Sequence, residues 1–142
     1  FLPLPSVARQ EETLREKARE LISEFELVND PEEFVGNLSL GRLRLLEVAR
    51  AIASSPRFLL LDEPAAGIDD RDRALLAAAI RKAAASGLGV LLVEHNVGFV
   101  ADLCDEMIGL VNGEIAARGK PSDVVADPVI ISAYLGRQEV HA

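Results

Sequence analysis

The sequence predicts an α/β fold with a largely parallel sheet, flanking helices and an N-terminal helical segment. Residues 58–61 and 88–93 are two short apolar stretches, and this pattern is typical of strands that are buried on both faces. Between them, a helical pattern rich in Ala and Leu begins at Asp69 or Asp70 and ends near residue 86. The order strand, helix, strand indicates a parallel pair, because parallel strands need a crossover connection.

The chain up to about residue 36 carries no strand pattern and is expected to form a helical appendage. Apolar residues at helical spacing predict a helix over residues 11–25. Glu11 and Glu12 would lie in its first turn, where acidic side chains complement the helix dipole. A second helix is predicted over residues 41–54.

The region after the second apolar stretch predicts a short helix, a β-hairpin and two terminal helices. The hairpin is indicated by an Asn-Gly pair, which favours a tight turn, and each terminal helix by a proline near its start. These elements are expected at residues 97–103 (helix), 106–111 and 114–117 (strands), and from Pro121 and Pro128 to about residue 136 (helices).

Composition and charge exclude several classes of protein. A net charge of -8 argues against a general nucleic-acid binder, which normally presents a basic face. No apolar run approaches the ~20 residues of a membrane-spanning helix. Cys104 is the only cysteine, so no intrachain disulfide can form and a reducing cytosol is the expected compartment. With one cysteine and two distant histidines, a zinc site is not expected.

Polar side chains with catalytic potential follow both apolar stretches. Asp62 and Glu63 come directly after the first stretch, and His95 follows the second. Asp62 could hold Mg²⁺, which prefers oxygen ligands, and Glu63 could deprotonate an attacking water. If the strands are parallel, His95 lies at the same edge and could hydrogen-bond a terminal phosphate. A polar turn and an inert loop histidine are the alternatives.

Two helix starts could also serve a ligand. Ser39 and Gly41 precede the second helix, whose backbone N–H groups could bind an anion, with glycine permitting close approach. A plain serine cap is the alternative. Asp69 by its spacing alone predicts only a cap of the third helix.

Taken together, these segments resemble the ATP-binding cassette (ABC) ATPases. Residues 38–42 (LSLGR) look like the signature motif, residues 58–63 like Walker B with its glutamate, residues 65–69 like the D-loop, and His95 like the switch histidine. The order and spacing agree over residues 37–118. The resemblance implies the C-terminal portion of a P-loop NTPase-like domain, divided into a helical part (1–55), an ATPase core (56–118) and C-terminal short helices (119–142).

The resemblance implies a role for each candidate residue. Ser39, Gly41 and Arg42 would bind ATP held by the second ATPase subunit of a head-to-tail dimer, and Asp69 would couple the two sites. Asp62 would serve Mg²⁺, Glu63 would be the general base, and His95 would sense the γ-phosphate. Leu40 and Arg42 depart from the family pattern, in which glycine-like and glutamine residues are usual.

The family's Walker A motif, adenine-stacking aromatic and Q-loop all precede the signature, and this sequence does not contain them. We therefore expect a C-terminal part of a subunit that alone neither binds ATP tightly nor hydrolyses it. An uncovered sheet face should promote self-association. The intact protein is expected in the cytoplasm, peripheral on the inner face of the membrane through permease subunits.

Three interpretations of function remain. Residues 65–67 (AAG) and 133–136 (AYLG) look most like ATPase subunits of branched-chain amino-acid importers, although lipopolysaccharide-export ATPases have similar endings. A soluble ABC ATPase without a transport role is the second interpretation. The third is a non-catalytic interaction module without a phosphate loop.

Overall fold

The computed structural model describes residues 5–27 and 34–135. These residues divide into two compact units, one up to residue 91 and one from residue 92, and the boundary falls within the second strand. The elements, in order, are α1 (Pro5–Glu24), a 3-10 turn (Val35–Asn37), α2 (Leu40–Ala53), β1 (Phe58–Asp62), α3 (Asp70–Ala85), β2 (Gly89–Val93), α4 (Val97–Leu103), β3 (Met107–Val111), β4 (Glu114–Gly119), α5 (Pro121–Val125), α6 (Pro128–Ile130) and a π-helical turn (Ile131–Leu135).

In the first unit, α2 packs against both α1 and α3. Buried apolar side chains of α2, α3 and β1 form its core, among them Leu45 and Leu76, which are fully buried. β1 and β2 are hydrogen-bonded neighbours. The amide of Gly89 donates to the carbonyl of Arg57 at 3.1 Å, so the two strands start side by side, as parallel strands do. The predicted α/β fold with a parallel pair is confirmed.

In the second unit, β3 and β4 form an antiparallel hairpin. Asn112 and Gly113 both have positive φ, at 51° and 83°, as the tight turn between such strands requires. The core of this unit is formed by Val100, Met107, Val124 and Ile130. The predicted hairpin and helix 97–103 are confirmed. Leu135 is the last described residue, so the predicted end of the terminal helix at residue 136 lies outside the described residues.

Two predictions about the first unit are wrong in detail. Helix α1 begins at Pro5 rather than Glu11, because proline fits the first turn, where its missing N–H is not needed. Glu11 therefore lies beyond the first turn, and it pairs with Arg15 at 2.6 Å across one helical turn.

The three-part division at residues 55 and 118 stays a prediction.

β1 is covered on one face only, whereas the sequence predicts burial on both. Leu59 and Leu61 are 6% and 9% exposed, but Phe58 and Leu60 on the other face are 71% and 72% exposed. An apolar run indicates that a strand can be buried on both faces. It does not indicate whether other helices or strands of the chain pack against each face. The described residues leave one face of β1 in contact with solvent.

No helix within residues 5–27 and 34–135 is long and apolar enough to cross a membrane.

Candidate functional site

Asp62 and Glu63 lie at the C-terminal end of β1, as predicted, and both are exposed. Asp62 is the last residue of the strand. Glu63 has a left-handed backbone with φ 45°, which is unfavourable for a residue with a Cβ. Its carbonyl accepts from the amide of Ala66 at 3.1 Å, and Pro64 and Ala65 between them are buried. The chain therefore turns sharply and directs two adjacent carboxylates to solvent, and strain of this kind is concentrated at functional sites.

The carboxylate of Asp62 suits a magnesium ion that is held mainly by water and phosphate oxygens. Mg²⁺ typically takes one or two protein carboxylates and keeps several waters, and no larger cluster is needed. Among the described residues, no group of three or more His, Cys, Asp or Glu side chains could hold a metal ion. An exposed Asp62 carboxylate is compatible with an ion of this kind, and Mg²⁺ binding by Asp62 stays a prediction.

Ser39 caps helix α2, as the simpler interpretation predicts. Its backbone is extended and its Oγ accepts from the amide of Arg42 at 3.2 Å. The cap occupies a lone pair of Oγ and leaves the hydroxyl proton free to be donated. The Ser39 side chain is exposed. The capping role is therefore compatible with donation of a hydrogen bond to an anion in front of the helix.

Gly41 is buried at the second position of α2, where it faces the first turn of α3. A Cβ at Gly41 would lie 2.2 Å from Oδ2 of Asp72 and 3.1 Å from its Cγ. Close approach at this glycine therefore serves helix packing within the chain. Phosphate contact by Gly41 stays a prediction.

The guanidinium group of Arg42 is directed toward the chain itself. Its Nε lies 3.3 Å from Oδ1 of Asp72, and the two side chains are 17% and 7% exposed. Its Nη1 donates to the carbonyl of Phe25 at 3.1 Å and also to the carbonyl of Glu26. Arg42 thus joins the end of α1, the start of α2 and the start of α3. Its predicted contact with ATP stays a prediction.

Asp69 is the N-cap of α3, as its spacing predicts. Its Oδ1 accepts from the amide of Asp72 at 2.8 Å. The turn that precedes it approaches the start of α2, since a Cβ at Gly67 would lie 3.5 Å from Cδ2 of Leu40. The segments that contain Glu63 and Ser39 are therefore neighbours within the first unit.

His95 belongs to the second unit, in the loop between β2 and α4. Its side chain is 68% exposed, and its Nδ1 lies 3.9 Å from Oε2 of Glu94, whose side chain is 1% exposed. Asn96 caps α4 by accepting from the amide of Phe99 at 3.0 Å. The helix cap and the buried neighbour hold the loop at the end of β2. A common edge for His95 and Glu63 stays a prediction.

Sequence reasoning missed Asp72 and Glu94. Asp72 is a buried charged residue, 5% exposed, and it connects Arg42 to Asp69. Nothing in its sequence neighbourhood distinguishes it from Asp70, which precedes it by two residues and is exposed. The sequence position of Glu94 could have marked it as a residue of interest, because it is an acid between an apolar strand and a histidine.

Comparison with known proteins places these features in one family. Residues 3–66 match the family described as ABC transporter. The lipopolysaccharide export system ATP-binding protein LptB of Acidithiobacillus ferridurans is 40% identical over 137 residues, which are 96% of this chain and 55% of that protein. The branched-chain amino acid transport ATP-binding protein BraF of Pseudomonas aeruginosa is 35% identical over 133 residues, 93% of this chain and 52% of that protein.

Solved structures agree with these relatives. The chain is similar to the ADP conformation of MJ1267, an ATP-binding cassette of an ABC transporter, with a TM-score of 0.76 and 26% identity. The match covers 96% of this chain and 53% of that structure. The chain thus spans about half the length of the curated relatives it matches, which is 55% for the Acidithiobacillus protein. By its motifs, its fold and its relatives, the chain belongs to the ABC transporter ATPase family.

Proposed function

We propose that this chain contributes the signature and Walker B region to the ATP-hydrolysing subunit of an ABC transporter. The observation that carries the proposal is the turn at the end of β1, where a left-handed Glu63 follows Asp62 and both carboxylates are exposed. Open α/β sheets bind their ligands at the carboxyl ends of the strands. Membership of the ABC family gives this placement its chemical meaning.

In this proposal Glu63 acts on the attacking water and Asp62 acts through Mg²⁺. A carboxylate at hydrogen-bond distance can accept a proton from the water as the water attacks the γ-phosphate. Asp62 would hold Mg²⁺, which supplies charge neutralisation at the phosphates when it is bound. His95 would hydrogen-bond the γ-phosphate through one imidazole nitrogen.

Ser39 and Gly41 would act on the nucleotide of the second ATPase subunit in a head-to-tail dimer. The hydroxyl of the exposed Ser39 is a suitable donor to a phosphate oxygen, and it lies at the start of a helix, where the helix dipole favours an anion. The side chain of Arg42 is committed to Asp72 and two backbone carbonyls. We therefore propose that Arg42 acts indirectly, by holding the start of α2 in place, rather than by contact of its side chain with ATP. Asp69 would contribute to the same subunit interface.

The proposed partners beyond the dimer are membrane permease subunits, which would place the protein on the cytoplasmic face of the membrane. Two classes of transported molecule are supported. The motifs at residues 65–67 and 133–136 favour hydrophobic amino-acid import, and BraF is 35% identical. The 40% identity to LptB proteins favours lipopolysaccharide export. Co-purification of the subunit with one permease or the other distinguishes these two.

The catalytic proposal can be tested in a chimera. The chimera would join this chain to the part of the Acidithiobacillus LptB that precedes the matched region. That part would supply the phosphate-binding loop, which this chain does not contain. We expect Mg²⁺-dependent ATP hydrolysis, and a decrease of roughly 10²-fold or more in Glu63→Gln, which is typical for loss of a general base. Glu114→Gln, at an exposed strand end, is the matched control. Equal hydrolysis by the Glu63→Gln chimera and its parent would refute the role of Glu63.

A further inference from the structure

Ser39 and Asp69 are connected by an unbroken series of polar contacts. Oγ of Ser39 accepts from the amide of Arg42 at 3.2 Å. The side chain of Arg42 pairs with that of Asp72 at 3.3 Å, and the amide of Asp72 donates to Oδ1 of Asp69 at 2.8 Å. Two helix caps are thus linked through one ion pair. Each member of the pair takes part with both its backbone and its side chain.

The ion pair is buried, and this determines how firmly it connects the two helices. Asp72 is 7% and Arg42 17% exposed at the side chain, so solvent is largely excluded from the carboxylate and only partly reaches the guanidinium group. Loss of Arg42 leaves the buried Asp72 charge without its cationic partner, whereas loss of Asp72 leaves Arg42 with only its two backbone carbonyl acceptors. The absence of a Cβ at Gly41 allows the Asp72 carboxylate to lie against the backbone of α2. The first turns of α2 and α3 are therefore held together by charge and by close packing.

We propose that Arg42 and Asp72 are a positioning pair that fixes Ser39 and Asp69 relative to each other, so that the two caps respond as one rigid element. The proposal rests on the proposed function for its meaning, because Ser39 and Asp69 are the two residues to which that function assigns contacts with a second subunit. A displacement of either residue at the subunit contact is transmitted to the other through Arg42 and Asp72. Neither member of the pair needs to touch nucleotide.

Amide hydrogen exchange measured by NMR on this chain tests the proposal. In Asp72→Asn, the amide of Arg42 on the other helix should exchange on the order of tenfold faster, beyond any change at Leu45 in the middle of α2. In Arg42→Gln, the amide of Asp72 should respond in the same way. Asp70→Asn is the matched control, because Asp70 lies in the same turn of α3 but pairs with Arg73. It should leave the Arg42 amide unchanged.

Rescue separates positioning from general stability. The double variant Arg42→Gln with Asp72→Asn contains no unpaired charge and can form an amide–amide hydrogen bond, so both caps should regain most of their protection. Unchanged exchange at Arg42 in Asp72→Asn, or an increase no larger than at Leu45, would overturn the proposal.

The unaltered chain gives a further readout if the single variants do not fold. The Nε–H of Arg42 should exchange at least tenfold more slowly than that of Arg57, which is exposed. Equal rates would refute the pair. None of these measurements involves nucleotide, so failure of the Glu63→Gln test would remove the catalytic proposal and leave the linkage of the two caps standing.

Discussion

Gly41 lies against Asp72 so closely that a Cβ at Gly41 would be 2.2 Å from Oδ2 of the carboxylate. Gly98 occupies the corresponding second position of α4, after the cap residue Asn96. A Cβ there would meet Oδ1 of Asn96 at 3.5 Å, which is an ordinary contact. The two glycines therefore have the same place in a helix and different surroundings.

The first prediction concerns this pair of glycines. Gly41→Ala should lower the free energy of unfolding by about 1–3 kcal/mol, because the carboxylate and its ion pair must move. Gly98→Ala should be neutral or stabilising by up to ~1 kcal/mol, since alanine is the better helix former. Urea unfolding followed by circular dichroism measures both. Equal effects in the two variants would show that Gly41 is not constrained by Asp72.

The second prediction concerns the cap of α3. Asp69→Ala removes the acceptor of the Asp72 amide and should lower the free energy of unfolding by about 1 kcal/mol. Asp70→Ala removes an exposed ion pair with Arg73 and should change it by less than ~0.5 kcal/mol. Thermal unfolding of both variants, measured at the same ionic strength, compares their free energies of unfolding with that of the unaltered chain. A larger effect in Asp70→Ala would contradict the assignment of Asp69 as the cap.

The third prediction concerns the uncovered face of β1. Phe58 and Leu60 are 71% and 72% exposed on one strand, next to a free strand edge in the described chain. We expect the chain to associate as its concentration rises, because association removes this apolar area from water. Leu60→Glu should weaken the association, as measured by light scattering.

Leu14→Glu is the control for this prediction, because Leu14 is similarly exposed, at 65%, but belongs to helix α1 rather than to a strand. It should associate like the unaltered chain. A chain that stays monomeric at high concentration, or equal effects of the two substitutions, would count against the role of the β1 face.

The fourth prediction concerns Cys104, which packs against the core of the second unit. Burial, and to a lesser extent the neighbouring Asp105, raises the pKa of the thiol above its ordinary value. At about pH 8 the folded chain should react with iodoacetamide several-fold more slowly than the urea-unfolded chain, because the thiolate is the nucleophile.

The same shift predicts a direction for stability. The pKa of the Cys104 thiol is higher in the folded chain than in the unfolded chain. The contribution of Cys104 to the free energy of unfolding is therefore fully present below the unfolded pKa of ~8.5, and it is lost as the pH rises through the folded pKa. The Cys104→Ala variant should lose this decrease in stability at alkaline pH. Equal alkylation rates in the folded and unfolded chains would show that the thiol is not shielded.

Much of the local structure could be predicted from the sequence. The caps Ser39 and Asp69, the helix Val97–Leu103 and the turn at Asn112 and Gly113 follow from short-range rules, because the residues that make each feature are within a few positions of each other. The carboxylates at the end of β1 follow from the change from apolar to acidic residues at Asp62.

Other features could not be predicted, because they depend on contacts between distant segments. The exposure of Phe58 and Leu60 depends on which layers cover β1. The start of α1 at Pro5 extends beyond the apolar periodicity that indicated the helix. The burial of Asp72, in contrast to the exposure of Asp70, depends on how α3 faces α2.

The sequence by itself determined the order of helices and strands, the family and the identity of the candidate catalytic residues, because each is encoded in local pattern and motif spacing. The tertiary structure alone decided that Arg42 turns away from solvent and pairs with Asp72. The physical reason is that Arg42 and Asp72 are 30 positions apart in the chain, so only the packing of α2 on α3 brings their charges together and shields them from solvent.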